Sequence, residues 1–167
     1  MIHVYTGKGK GKTTAALGLA LRAAGAGKKV YICQFVKGRE YCESKSLKKF
    51  RNIRCERFGR SCFIRSVPTR KDIELAQDGL NRVKQVLAEG KSDVIILDEI
   101  NIAVSLKLIA ANEVIRIIKN TKKSKELILT GRDAPEEFLR IADLITEMKE
   151  IRHYYNKGIK ARKGIEF

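Results

Sequence analysis

The sequence predicts an α/β fold, a doubly wound and mainly parallel sheet, in one domain that spans residues 1–167. Three observations support this prediction. Short apolar segments alternate with segments whose apolar residues recur at helical spacing. A glycine-rich loop at residues 7–13 separates the first apolar segment from the first helical one. A continuous apolar run at residues 93–98 is typical of a strand that is buried on both faces of a parallel sheet.

The predicted elements alternate in a regular order along the chain. Strand-like segments are short and rich in Val, Ile and Leu, whereas the helical segments are longer and amphipathic. Strands are predicted at residues 2–5, 30–33, 53–57, 93–98, 127–130 and 144–148, and helices at residues 13–24, 42–50, 70–90, 112–119 and 135–140.

Turn and capping residues support the helix boundaries. Gly25 and Gly27 are expected to end the first helix, because glycine readily adopts the left-handed conformation found at helix ends. Thr69 is the predicted N-cap of the long third helix, in a capping box with Asp72, and Gly90 is expected to end it. The apolar faces are predicted to comprise Leu17, Ala20, Leu21 and Ala24 in the first helix, and Ile73, Ala76, Leu80, Val83 and Leu87 in the third.

Residues 7–13, the phosphate loop, come close to the nucleotide-binding pattern G-x-x-x-x-G-K-[ST]. Counting back from Gly11, the first glycine belongs at position 6, but Thr6 occupies it and Gly7 follows. Backbone amides and the helix N-terminus would hold phosphate oxygens, and the Thr13 hydroxyl would bind Mg²⁺. The predicted ATP-binding residues here are Gly7, Lys8, Gly9, Lys10, Gly11, Lys12, Thr13 and Thr14.

Asp98 and Glu99 end the apolar run at residues 93–98. A carboxylate at the end of a central strand faces the phosphate loop and can hold Mg²⁺ directly or through water. The spacing leaves open which of the two acids contacts the metal. Lys12, Thr13 and Glu99 are the predicted catalytic residues.

Polar groups also follow the second strand and the strand at residues 127–130. In an open parallel sheet, ligands bind outside the carboxyl ends of the strands. Lys37 and Arg132 lie at these ends and are further predicted ATP ligands.

The composition limits the function classes and the compartment. The net charge of +16 predicts attraction to polyanions, which include nucleotides, nucleic acids and acidic proteins. No apolar run reaches the roughly 18 residues that a membrane span needs, and Met1 leads directly into a strand rather than a signal peptide. We therefore expect a cytoplasmic protein that does not bind membranes, whose four cysteines are reduced thiols.

Taken in order, these motifs resemble those of the P-loop corrinoid adenosyltransferases over almost the whole chain. The resemblance implies a RecA-like P-loop nucleotide-binding fold. It also implies transfer of the 5′-deoxyadenosyl group of ATP to the Co(I) of a reduced corrinoid, with release of inorganic triphosphate, in cobalamin biosynthesis or salvage. The matching stretches are residues 6–16, 34–38, 98–101, 130–132, 142–148, 158–161 and 164–167.

The resemblance further implies partners and a corrinoid contact. Aromatic residues after the third strand are thought to displace the lower ligand of the cobalt in this family, and Phe63 is the aromatic residue at the matching place. The electron that generates Co(I) would come from a flavodoxin-like protein or a reduced flavin. Family members are often homodimers, so a homodimer is expected.

Two other functions share the phosphate loop. A RecA-like nucleic-acid-dependent ATPase would explain the loop, the acids and the charge, and would use Glu99 to orient water. Against it, no stacking aromatic residues are interleaved with the basic ones, so no nucleic-acid partner is expected. A nucleoside kinase would need an acceptor pocket that no motif identifies.

Overall fold

The computed structural model describes residues 1–61, 64 and 67–167. Within these residues, six strands form one sheet that is flanked by six α-helices, and a 3-10 helix at Tyr154–Lys157 lies near the C-terminus. In chain order the other elements are β1 (Ile2–Thr6), α1 (Lys12–Gly25), β2 (Val30–Phe35), α2 (Cys42–Leu47), β3 (Ile53–Phe58), α3 (Arg70–Glu89), β4 (Val94–Asp98), α4 (Ile100–Ser105), α5 (Ala111–Lys119), β5 (Glu126–Thr130), α6 (Glu136–Ile141) and β6 (Leu144–Glu147).

The sheet is parallel throughout, with strand order β3-β2-β4-β5-β1-β6. The predicted doubly wound α/β class is therefore confirmed. Strand β5 lies between β1, which leads into the phosphate loop, and β4, which ends in Asp98. All six strands end at the same edge, and this edge carries the candidate site.

The sheet is buried on both faces, which explains the apolar strands. One core cluster lies on the side of α3 to α6 and includes Leu80, Leu97 and Phe138. The other lies on the side of α1 and includes Ala20 and Ile96. Successive strand residues point to opposite faces, so each central strand contributes side chains to both clusters.

Helix α3 confirms the predicted capping. The Thr69 side chain accepts a hydrogen bond from the backbone N–H of Asp72, and the Asp72 carboxylate accepts one from the Thr69 N–H. Gly90 ends the helix in the left-handed conformation, with φ of 68°. Two reciprocal bonds satisfy donors that would otherwise be orphaned at the helix start.

The predicted apolar faces are partly wrong. In α1 the buried residues are Ala16, Ala20 and Ala23, while the Leu21 side chain is 44% exposed. The buried face is centred on these three alanines, and at 3.6 residues per turn Leu21 lies roughly 130° around the helix from that centre. In α3, Ile73 is likewise exposed, although the rest of its predicted stripe is buried or partly buried.

Two short elements were not predicted. Helix α4 starts directly after Glu99, and a single turn and a half offers too little periodicity to recognise in sequence. The 3-10 helix at Tyr154–Lys157 lies in the basic C-terminal segment. No helix within the described residues is both long and apolar enough to cross a membrane.

Candidate active site

The position of Thr6 explains the displaced glycine of the phosphate loop. Thr6 is the last residue of β1 and pairs with Glu147 of the edge strand β6, and its carbonyl accepts a hydrogen bond from the Met148 N–H at 2.8 Å. The chain turns one residue later, at Gly7, where φ is 94°. A Cβ added at Gly7 would lie 2.5 Å from the Met148 carbonyl oxygen. The pairing with β6 therefore extends β1 by one residue, and only glycine fits the turn that follows.

Lys12 lies over the phosphate loop. Its ammonium donates hydrogen bonds to the carbonyl oxygens of Gly7 at 2.6 Å and Gly9 at 2.7 Å. Burial lowers the pKa of Lys12, and the negative charge of Glu99 opposes that shift. These contacts hold the flexible Lys12 side chain, with its positive charge, beside a loop whose backbone amides can bind anions.

Asp98 is the centre of a buried hydrogen-bond cluster, which we call the Asp98 cluster (Thr13, Gln34, Lys37, Asp98 and Thr130). One carboxylate oxygen accepts from the hydroxyls of Thr13 at 2.9 Å and Thr130 at 2.7 Å. The other accepts from the Gln34 amide at 3.0 Å and the Lys37 ammonium at 2.8 Å. The side chain of Asp98 is 1% exposed, so four donors replace the water that burial removes.

The charges of the Asp98 cluster stabilise each other. Burial alone would raise the pKa of Asp98, but the charge and hydrogen bond of Lys37, with the two threonine hydroxyls, lower it. Burial would lower the pKa of Lys37, and Asp98 raises it instead. Both groups are therefore charged at neutral pH, as a buried ion pair must be if it is fully hydrogen-bonded.

Glu99 differs from its neighbour, although the two are adjacent. Within the described part of the chain, no hydrogen bond or ion pair reaches its carboxylate, and its backbone N–H donates to the Thr130 hydroxyl at 3.0 Å. Burial and the negative charge of Asp98 raise the pKa of Glu99. A partly buried carboxylate without donors, close to Lys12, is the acid that is free to bind a cation.

The strand ends at this edge contain strained backbone. Val36 follows β2, Glu99 follows β4 and Asp133 lies just beyond β5, and all three have φ between 56° and 63°. That conformation is unfavourable for any residue with a Cβ and most unfavourable for β-branched Val. Strain of this kind costs about 1–3 kcal/mol per residue and clusters at functional sites.

Comparison with known proteins identifies the family of this chain. Residues 1–167 match the model of the family described as ATP:corrinoid adenosyltransferase BtuR/CobO/CobP. The chain belongs to the ATP:corrinoid adenosyltransferase family. It is therefore an ATP-binding transferase of cobalamin metabolism, and the RecA-like nucleic-acid-dependent ATPase is not favoured. The predicted RecA-like P-loop fold fits this family and the observed parallel sheet.

Three relatives show the extent of the similarity. The corrinoid adenosyltransferase of Sinorhizobium sp. is 35% identical, and the match covers all of this chain and 80% of the relative. The corrinoid adenosyltransferase of Pseudomonas aeruginosa is 32% identical, over all of this chain and 83% of its own length. The one of Escherichia coli (strain K12) is 30% identical, over all of this chain and 85% of its own length.

The structure brings some of the predicted site residues of this adenosyltransferase together and leaves others at the rim. Thr13, Lys37 and Asp98 are in direct contact, since the Lys37 ammonium also lies 3.4 Å from the Thr13 hydroxyl. Arg132 is exposed and lies 3.5 Å from the Asp133 carboxylate. The side chains of Lys8 and Thr14 are exposed, that of Lys10 turns to the C-terminal tail, and Phe63 lies outside the described residues.

The sequence analysis noted Gln34, Asn101 and Thr130 within the stretches 34–38, 98–101 and 130–132 but did not assign them as site residues. Gln34 and Thr130 are completely buried and donate to Asp98. Asn101 is also buried; its amide nitrogen donates to the Gly131 carbonyl at 2.7 Å, while its Oδ1 accepts no hydrogen bond from any described residue. The available signal was a polar residue at the carboxyl end of an otherwise apolar strand, which applies to Gln34 and Thr130 but not to Asn101.

Proposed function

We propose that this chain transfers the 5′-deoxyadenosyl group of ATP to the Co(I) of a reduced corrinoid by direct attack on the ribose C5′, with inorganic triphosphate as the leaving group. The observation that carries the proposal is the contact between the Thr13 hydroxyl of the phosphate loop and the Asp98 carboxylate, at 2.9 Å. It supports the proposal because it joins the glycine-rich loop to the strand end that carries Asp98 and Glu99, in a chain of the adenosyltransferase family.

The phosphate loop and its cations would stabilise the departing triphosphate. Co(I) is a very strong nucleophile, so the protein needs no base to activate it. The groups suited to the developing charge are the loop amides, Lys12 and, at the rim, Arg132. Lys12 can exchange its two loop carbonyls for phosphate oxygens, because its stem is flexible and both partners are neutral. Alignment of C5′ with the cobalt would supply much of the remaining acceleration.

The residues present fit a magnesium ion. Mg²⁺ prefers oxygen ligands and commonly uses one or two protein groups together with substrate phosphates. The Thr13 hydroxyl and the Glu99 carboxylate are the groups we assign to it, since the Asp98 oxygens already accept from four donors. Asp98 would then orient Thr13 rather than contact the metal. When bound, Mg²⁺ neutralises part of the triphosphate charge.

One experiment tests this function. The protein is incubated anaerobically with ATP, Mg²⁺ and a chemically reduced corrinoid, the visible spectrum is followed for the cobalt–carbon bond, and triphosphate is assayed. We expect adenosylcorrinoid and triphosphate in equal amounts, and none from Lys12→Ala with its fold intact. Release of ADP without a corrinoid would contradict the proposal, as would wild-type turnover by Lys12→Ala.

We also propose an acidic, flavodoxin-like electron donor, or a reduced flavin, for reduction of Co(II). The net charge of +16 would attract an acidic carrier, and salt screens such docking over about 10 Å at 0.1 M. With a protein donor the rate should fall as salt rises, whereas the rate with chemically generated Co(I) should change much less. A parallel fall of both rates would show that salt acts on substrate binding instead.

Two further properties belong to this proposal, a cytoplasmic location and a homodimer. The edge strand β6 exposes Leu144 and Ile145, at 44% and 50%, and an uncovered edge with apolar side chains suits pairing with a second copy. Light scattering after size-exclusion chromatography would measure the mass. A mass of one chain at micromolar concentration would contradict the homodimer.

A further inference from the structure

The C-terminal tail (residues 154–167) contains two side chains that the sheet does not explain. Tyr154 and Glu166 are partly buried, whereas every other residue of this range is exposed. Tyr154 belongs to neither core cluster. Both side chains contact the phosphate loop instead, at the side chain of Lys10.

The contact is a compact charge cluster, which we call the Glu166 cluster (Lys10, Tyr154, Arg162 and Glu166). The Lys10 ammonium donates to the Glu166 carboxylate and to the Tyr154 hydroxyl, both at 2.8 Å. The Tyr154 hydroxyl donates to the same carboxylate. The backbone N–H of Arg162 donates to its second oxygen at 2.5 Å, and the Arg162 guanidinium lies 4.8 Å from the Tyr154 ring.

The Glu166 cluster holds its charges over a wide pH range. The hydrogen bond from Lys10, followed by that from Tyr154, lowers the pKa of Glu166 to about 2. The same bonds raise the pKa of Lys10. The Lys10 side chain is 40% exposed, so the pair contributes little to global stability, but it can fix where the lysine and its loop lie.

Lys10 lies in the glycine-rich part of the phosphate loop, where a restraint on its side chain also restrains the backbone. It lies between Gly9 and Gly11, and glycines make a loop costly to order. Before Lys10, the loop is braced by Met148, whose carbonyl accepts from the Gly9 N–H at 2.6 Å. A Cβ added at Gly9 would lie 2.7 Å from that carbonyl oxygen. A second contact restrains the loop at Lys10, where the side chain binds Tyr154 and Glu166 of the tail.

We propose that Glu166 and Tyr154 are positioning residues for the phosphate loop and act through Lys10. The Lys10 side chain is then an anchor for the tail, while its backbone N–H stays with the loop amides that face the triphosphate. A loop braced on both sides presents its amides with less ordering cost on binding. The inference rests on the proposed function, because it assumes that this loop holds a triphosphate.

The test compares Glu166→Gln with Glu137→Gln, a control that removes the same charge from an exposed residue of α6, outside the tail. Calorimetry measures the affinity of each variant for inorganic triphosphate, and kinetics measure KM for ATP and kcat. For Glu166→Gln we expect both Kd and KM to rise about two- to fivefold, as for loss of an exposed charge pair, with kcat nearly unchanged. Glu166→Asp should restore part of the loss, and Glu137→Gln should match the wild type.

The direction in which triphosphate affinity changes in Glu166→Gln distinguishes a positioning role from a purely electrostatic effect of the carboxylate. Removing a carboxylate near the loop would tighten anion binding if charge alone mattered. In Lys10→Met, adding Glu166→Gln should cause no further loss, because the glutamate acts through the lysine. Tyr154→Phe, which removes one hydroxyl, should weaken binding in the same direction.

Two results would overturn the inference. One is triphosphate affinity in Glu166→Gln equal to or tighter than that of the wild type. The other is an equal loss from Glu166→Gln with and without Lys10→Met. Both results are measurements of triphosphate affinity, which do not require adenosyl transfer to occur. Wild-type protein that binds triphosphate but forms no adenosylcorrinoid defeats that function alone, while full adenosylation with unchanged affinity in Glu166→Gln defeats this inference alone.

Discussion

The carboxylates of Asp98 and Glu166 each accept several hydrogen bonds, but Asp98 is buried and Glu166 lies at the surface. Asp98 accepts from Thr13, Gln34, Lys37 and Thr130 at the centre of the sheet edge and is 1% exposed. Glu166 accepts from Lys10, Tyr154 and Arg162 at the surface, and its side chain is 17% exposed. The hydrogen bonds alone do not show which cluster matters more to the fold.

Desolvation makes the difference between the Asp98 and Glu166 clusters. Gln34 and Thr130 are completely buried and Lys37 is only 16% exposed, so loss of the carboxylate leaves Lys37 as an uncompensated charge. The partners of Glu166 can return to water when the contact breaks. The buried cluster therefore contributes to stability, and the exposed one contributes mainly to geometry.

The largest expected effect is that of Asp98→Ala on the free energy of unfolding. Removing one partner of a buried ion pair costs about 3–5 kcal/mol, because the other charge stays buried. Urea denaturation at pH 7 measures the loss. The control is Asp78→Ala, the same change at an exposed position of α3, which should stay within about 0.5 kcal/mol of the wild type.

A double variant sharpens this prediction. Asp98→Ala with Lys37→Met removes both charges and should recover part of the lost stability. A loss in Asp98→Ala no larger than in Asp78→Ala would show that the buried pair does not stabilise the fold.

The next effect is that of Glu99→Gln, which should reduce activity without reducing stability. The Mg²⁺-dependent rate should fall by at least about 10- to 100-fold, because loss of a group that only orients a metal ligand already has an effect of that size. Folding raises the pKa of Glu99 from its usual 4.5, so this carboxyl group opposes folding at pH values above 4.5, and its removal should not destabilise the protein at pH 8. Rates over a Mg²⁺ series and urea midpoints measure the two properties. An unchanged Mg²⁺ dependence would exclude Glu99 as a ligand.

The smallest effect is that of acid on the Glu166 cluster. The pKa of Glu166 falls from 4.5 to about 2 in the folded protein, so the contribution of the pair is complete above pH 4.5 and is lost as pH falls towards 2. The carboxyl carbon shift of Glu166, followed by NMR, should have a midpoint near 2. In Lys10→Met the midpoint should move up towards 4.5, because the lysine is the main cause of the shift. An equal midpoint in both proteins would remove Lys10 from this role.

Local patterns were sufficient for much of the fold. The capping box at Thr69 and the left-handed end at Gly90 depend on residues a few positions apart, and both were correct. The apolar run that became β4 identified a doubly buried strand. The exposure of Leu21 was not predicted, because α1 is apolar over most of its circumference and helical spacing alone did not show which side packs on the sheet.

The sequence by itself determined the α/β class, the phosphate loop and the acids at the end of β4, since each is a local pattern with a direct physical meaning. Only the tertiary structure decided that Asp98 is saturated with donors and Glu99 is not, and that Thr6 continues β1. It also brought together Lys10 and Glu166, which are 156 positions apart. Such contacts depend on strand order and on where each chain segment leaves the sheet, and no local spacing encodes either of these.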